Sequence, residues 1–124
     1  MSVDHGESGT VLRPVRLLDI PAVWDGKEEL EEQIVSGQSC RLARILSRGH
    51  RTPEGRWYDQ DHDEWVAILQ GWGSIRFDGG RVLRMEVGDA FLIRAHYRHR
   101  VDQTSSEPPC VWIALHLPPA GSAL

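Results

Sequence analysis

The stretch that most constrains this chain is Ser74-Ile75-Arg76-Phe77, Asp78-Gly79-Gly80, Arg81-Val82-Leu83-Arg84-Met85. Two short strand-like runs flank a turn whose glycines supply the positive φ values that tight hairpins require. The stretch predicts antiparallel pairing in the middle of the chain. A second turn, Glu86-Val87-Gly88-Asp89, leads into a further strand, Ala90–Ile93. The same grammar continues on both sides. Cys40–Leu46 sets Leu42, Arg44 and Leu46 against Arg41, Ala43 and Ile45 until Gly49 stops it. Glu64–Gln70 is dense in Trp, Val, Ile and Leu and ends at Gly71-Trp72-Gly73. Val101–Thr104, a Ser-Ser-Glu-Pro-Pro turn and a last strand, Cys110–His116, complete the series. Seven or eight short strands result, with no crossover helices to build a parallel sheet, so the fold is all-β, a sandwich or barrel. Only Trp24–Glu32 admits another reading. Its crowded Glu28, Glu29, Glu31 and Glu32 suit a short helix or a turn leading into a strand.

At 124 residues, 40% hydrophobic and 26% charged, the chain is long and apolar enough to bury one core. We expect a single domain over 15–117, a frayed segment over 1–14 and a flexible tail over 118–124. A net charge of −4 argues against nucleic acid as a partner, since phosphate binding needs a positive surface. The longest apolar runs, Val66–Leu69 and Val111–Leu115, fall far short of the ~20 residues of a membrane span. The first residues lack the basic start and apolar run of a secretory signal, which predicts a cytoplasmic protein. Cys40 and Cys110 form no C-x-x-C and read as free, partly buried thiols. Glu64–Gln70 is apolar on both faces, Trp65, Ala67 and Leu69 on one and Val66 and Ile68 on the other. Such a strand lies between two layers or at a subunit interface, and the five tryptophans in the chain point to a homodimer.

Two charged blocks carry the candidate chemistry. Trp57–Glu64 holds four acids and a histidine, and Arg94–Arg100 holds three arginines and two histidines. In a small β domain such blocks are suited to face each other. Asp59, Asp61 and Asp63 match the start of a calcium loop, but Glu64 and Gln70 stand where that loop needs glycine and a bidentate glutamate. There is no G-x-S-x-G nucleophile elbow, and Gly71-x-Gly73 leads into a strand rather than a phosphate-binding helix.

The spacing is more telling. Glu64, six residues, Gly71 is laid out like the end of the first cupin motif, G-x5-H-x-H-x3–4-E-x6-G. Gly88, five residues, Arg94, one residue, His96, two residues, His99 is laid out like the second, G-x5-P-x-G-x2-H-x3-N. The chain therefore resembles a small single-domain cupin over roughly residues 40–116. Its runs WYDQ, DEWV and AHYRHRV resemble one subgroup of small cupins. The resemblance implies a double-stranded β-helix, or jelly roll, with Glu64 and His99 as two ligands of a divalent metal. The other two histidines of that site are missing. One register of the first motif puts Tyr58 and Gln60 at their positions, the other Trp57 and Asp59. In the second motif Arg94, His96 and Gln103 replace the usual proline, glycine and asparagine. Strand alternation offers a substitute set, because Gln60, His62 and Glu64 share parity and His99 shares parity with Val101. Gln60, His62, Glu64 and His99, with His96 as a replacement for His62, form a donor set suited to manganese, iron, nickel or zinc.

Two functions follow. One is a metal-dependent enzyme acting on a small polar or anionic metabolite, with Arg94 and Arg98 orienting the anion and Tyr58 as a candidate proton donor. The other is a metal-free, dimeric cupin that binds a small molecule without turning it over. Plainer roles exist for the same residues: His99 donating to a backbone carbonyl, Glu64 paired with Arg98 or Arg100, and Asp59, Asp61 and Asp63 on a solvated loop. The arginines would then form internal ion pairs. His5, His50 and His116 receive no role.

Overall fold

A computed structural model describes residues 12–119. Among these residues eight strands form, in order β1 (Leu30–Ser36), β2 (Arg41–Ser47), β3 (Asp63–Gln70), β4 (Trp72–Phe77), β5 (Val82–Glu86), β6 (Ala90–Ile93), β7 (His99–Thr104) and β8 (Cys110–Leu117). No helix occurs among the described residues. The ambiguous Trp24–Glu32 region resolves as a bend at Gly26 feeding the edge strand β1. The expected ends 1–14 and 118–124 fall mostly outside the described residues. Of the first, only Leu12–Pro14 is described, and of the second only Pro118 and Pro119.

The strands pair antiparallel into two sheets, β1-β2-β8-β3-β6 and β5-β4-β7. The central hairpin is β4–β5, and its turn is tight because Phe77 N–H donates to Arg81 O at 2.8 Å while Gly79 and Gly80 take φ of 95° and 92°. The side chains that alternate inward from both sheets make the core. Val66, Ile68, Ile93, Cys110, Trp112 and Ala114 come from the larger sheet, and Ile75, Phe77 and Met85 from the smaller. Phe77 also stacks on Tyr97, their ring centroids 4.4 Å apart.

Both cysteines are free, but Cys40 is exposed rather than partly buried. Burial pushes the Cys110 thiol up to about 12, which makes it a small apolar core residue rather than a reactive one. The two charged blocks do face each other. Asp63, expected on a solvated loop, is fully buried and accepts a hydrogen bond from Ala95 N–H at 2.8 Å, with Arg94 Nε 3.5 Å away. The chain positions it so because β3 begins at Asp63, against the β6–β7 turn. Asp59 reaches His96 Nδ1 at 2.8 Å on the outside.

Candidate functional site

One end of the space between the sheets is not filled by the core. A cavity of about 190 Å³ opens there, enough for about six waters. Its floor is apolar, made by Ile45, Val66, Ile75, Ile93, Val101 and Trp112. Its polar groups are Glu29, Glu31, Arg41, Tyr58, Gln60, Glu64, His99 and His116.

Alternation sends these side chains inward. Glu64 and Val66 share a face of β3, His99 and Val101 of β7, and Trp112 and His116 of β8. Tyr58 and Gln60 come from the β2–β3 loop. Tyr58 is held by a two-way backbone bridge to His99, and its ring stacks on the His99 imidazole at 5.5 Å. Of the two registers, the structure brings Tyr58 and Gln60 to the cavity and leaves Trp57 and Asp59 outside it.

Glu64 lies at the centre, its side chain only 12% exposed. Oε1 accepts a hydrogen bond from Gln60 Nε2 at 2.9 Å. His99 Nε2 stands 3.9 Å from Oε1 and His116 Nε2 3.9 Å from Oε2. Each imidazole is oriented from behind. His99 Nδ1 lies 2.8 Å from Tyr97 O, which can only accept, so the expected bond to a backbone carbonyl is present. His116 Nδ1 lies 2.9 Å from His62 Nε2, and His62 Nδ1 in turn lies 3.1 Å from Asp61 Oδ1. The carboxylate can only accept. A neutral His62 therefore donates from Nδ1 and accepts at Nε2, so the Nδ1 proton of His116 is the one donated to it. With their Nδ1 atoms so occupied, each ring in its neutral form turns an Nε2 lone pair toward Glu64.

Several expectations change. His62 does not share the cavity with Gln60 and Glu64. Residues 61–62 form a bend before β3 begins, so strand alternation does not extend back to them. His62 instead borders a shallow outer hollow with Cys40 and His116. His96 has φ of 64° and a side chain 69% exposed, and it too lies outside the cavity. Arg94 faces Asp63, and Arg98 pairs with Asp78 at 3.6 Å over the Trp57 ring, so neither lines the cavity. Glu64 pairs with neither Arg98 nor Arg100. Arg100 Nη2 donates to Thr52 O. The cavity's one arginine is Arg41, 3.6 Å from Glu31.

The sequence gives His116 no motif of its own, and Cys110–His116 reads as an apolar strand. Its parity with Trp112 and Ala114 is the signal that places it inward. His50, also given no role, bonds to backbone outside the cavity: its Nδ1 accepts from Arg48 N–H at 2.8 Å and its Nε2 meets Lys27 O at 3.0 Å.

As placed, these residues do not form a tetrahedral site for a single metal ion. The imidazoles address different oxygens of Glu64. At bond lengths of ~2.1 Å, two donors separated as each imidazole is from its oxygen open the angle at an ion well past tetrahedral. Among the described residues no group of three or more His, Cys, Asp or Glu is arranged to hold a metal.

Burial pushes the His116 pKa down, with Arg41 and His62 adding to the shift and Glu64 and Glu31 opposing it. The folded protein therefore binds fewer protons at this residue than the unfolded chain does. Its contribution to stability is full above the unfolded value of about 6.5 and is lost as pH falls through the lower folded value. Denaturant midpoints measured from pH 7.5 down to 5 should fall with pH, and His116→Asn should flatten that slope. An unchanged slope in the variant would show that His116 does not titrate in this way.

A family model for the cupin domain matches residues 46–116. The chain belongs to the cupin family. Among solved cupin-like structures, a Ralstonia eutropha protein provisionally assigned as a mannose-6-phosphate isomerase is 32% identical, with a TM-score of 0.78. That similarity covers 86% of this chain and 99% of the other. A cupin superfamily protein from Desulfitobacterium hafniense has a TM-score of 0.64 at 16% identity, covering 74% of this cupin and 79% of its own chain. KdgF from a Halomonas species has a TM-score of 0.62 at 20% identity, covering 82% and 89%. At those identities the last two support the cupin fold alone. No curated protein matches this cupin.

Proposed function

We propose that this cupin binds a small polar metabolite in the cavity between its sheets, with Glu64 as the principal recognition group. The observation that carries the reading is a carboxylate 12% exposed over an apolar floor, its oxygens turned to the cavity and given, among the described residues, one hydrogen bond, from Gln60. Such a group is costly to bury without further partners, and a ligand supplies them. Burial, then Glu29, Glu64 and Glu31, hold the Tyr58 hydroxyl above its ordinary pKa, so it stays protonated and donates from the rim. In any reaction run there, Glu64 is the proton acceptor and Tyr58 the donor.

The Ralstonia protein's assignment suggests a phosphorylated sugar. The cavity's charge argues otherwise, since Glu29, Glu31 and Glu64 stand against Arg41 alone. The anionic ligand expected from Arg94 and Arg98 loses its support because those side chains point elsewhere. A neutral or cationic polar metabolite suits the lining better. A small-fragment screen by NMR on the ¹⁵N-labelled protein should shift the amides of Val66, Ile93, Val101 and His116 together. Shifts confined to other surfaces would overturn the reading. Loading with manganese, iron, nickel or zinc, followed by elemental analysis, should leave no stoichiometric metal. Retained metal that is lost in Glu64→Gln would favour the metal-dependent alternative.

The expected homodimer has a face to use. The outward side of the larger sheet carries Trp65, Ala67 and Leu69 beside Leu92 and Leu115, each half-buried. Light scattering should give twice the chain mass, and Trp65→Asp should return it to one.

A further inference from the structure

Glu64 and its two histidines leave a gap that lacks protons. His99 Nε2 and His116 Nε2 each sit 3.9 Å from a different Glu64 oxygen, too far for a hydrogen bond. Their Nδ1 atoms face Tyr97 O and His62 Nε2, at 2.8 and 2.9 Å. In the neutral rings, therefore, acceptor faces acceptor across both gaps. A guest suited to this space must bring donors, several of them, and preferably positive charge. Glu29 and Glu31 add two carboxylates at the same cavity, and the one guanidinium there, Arg41, lies 3.6 Å from Glu31. Below the acceptors the floor is hydrocarbon and indole, Val66, Ile93, Val101 and Trp112.

We infer that the cavity's ligand is a small organic cation, a primary amine with a compact apolar body. Its ammonium is held by Glu64, His99 and His116, and its body rests on Val66, Ile93 and Trp112. An ammonium has three N–H donors, one for each acceptor, and a charge that compensates the buried Glu64. An alcohol brings one donor and no charge. A carboxylate or phosphate would put acceptors against acceptors and charge against like charge.

This inference rests on the small-ligand reading of the cavity, and one matched series separates the two. Benzylammonium, benzyl alcohol and benzoate share a body and differ in the polar group. Each is titrated into the ¹⁵N-labelled full chain at neutral pH while the amides of Val66, Ile93, Val101 and His116 are followed. Benzylammonium should bind about tenfold more tightly than benzyl alcohol, the gain of one charge-assisted contact, and benzoate should bind weakest. Glu64→Gln, nearly the same in shape, should remove the preference for the amine while leaving the spectrum of the fold intact. Benzyl alcohol or benzoate binding in the cavity as tightly as the amine would overturn the cation and keep the cavity. If none of the three moves the cavity amides, the cavity reading fails and the cation with it. Preference for the amine that survives in Glu64→Gln would show that the charge is read elsewhere.

Discussion

Arg44→Ala should cost about 3–5 kcal/mol of folding free energy, the range for breaking a buried ion pair from one side. Arg44 is 1% exposed. It occupies the outward face of β2, the opposite parity to Arg41 and Ile45 in the cavity, and would meet solvent there if nothing covered it. The segment before β1 provides the cover. Arg44 forms a close ion pair with Glu32 of β1, and its Nη1 donates to Leu17 O at 2.9 Å and Asp19 O at 2.7 Å. One guanidinium thus ties the irregular segment to the sheet. Alanine would strand the Glu32 carboxylate and two carbonyls at once. Urea denaturation measures the loss. The double variant Arg44→Met, Glu32→Leu should recover part of it, because removing both charges leaves neither unpaired. A loss below about 1 kcal/mol in Arg44→Ala would mean that the clamp contributes little, as exposed pairs do.

Legibility in the sequence followed a physical line. Strands could be placed because each is a short apolar run ended by a turn residue whose backbone requirement is local, as at Gly79-Gly80 or Gly49. Glu64 and His99 could be placed in the cavity because motif spacing and strand parity agree, and both lie inside strands. His62 broke the same rule by one residue. Parity applies only once the ladder begins, and the ladder begins at Asp63. Arg94 and Arg98 looked like anion grips, but their partners Asp63 and Asp78 lie at distant sequence positions that only the fold brings near. His116 had the right parity and went unread for want of a motif. The burial of Arg44 was likewise not legible, because covering it requires a segment with no regular structure of its own.

Gly73→Ala should cost about 1–3 kcal/mol, the usual range for overpacking, and should also reduce ligand binding. Gly73 of β4 faces β8 across the sandwich, and a Cβ there would overlap Cζ2 of Trp112 and come within 2.7 Å of Cη2. The glycine is thus demanded by the indole rather than by a turn. The ring cannot retreat into its own sheet, where Trp112 is paired with Ile45 on one side and Ile68 on the other. The open volume beside it is the cavity, of which Trp112 is part of the floor. A displaced indole would therefore enter the ligand's space, and the two effects should appear together. The benzylammonium titration should weaken at least as strongly in Gly73→Ala as in Glu64→Gln, with tryptophan fluorescence shifted at the same time. Trp112→Phe in the Gly73→Ala background removes the clashing atoms and should restore both stability and binding in part. If Gly73→Ala lowers stability while binding and fluorescence stay unchanged, the indole has found room away from the cavity, and core packing and ligand space are not coupled.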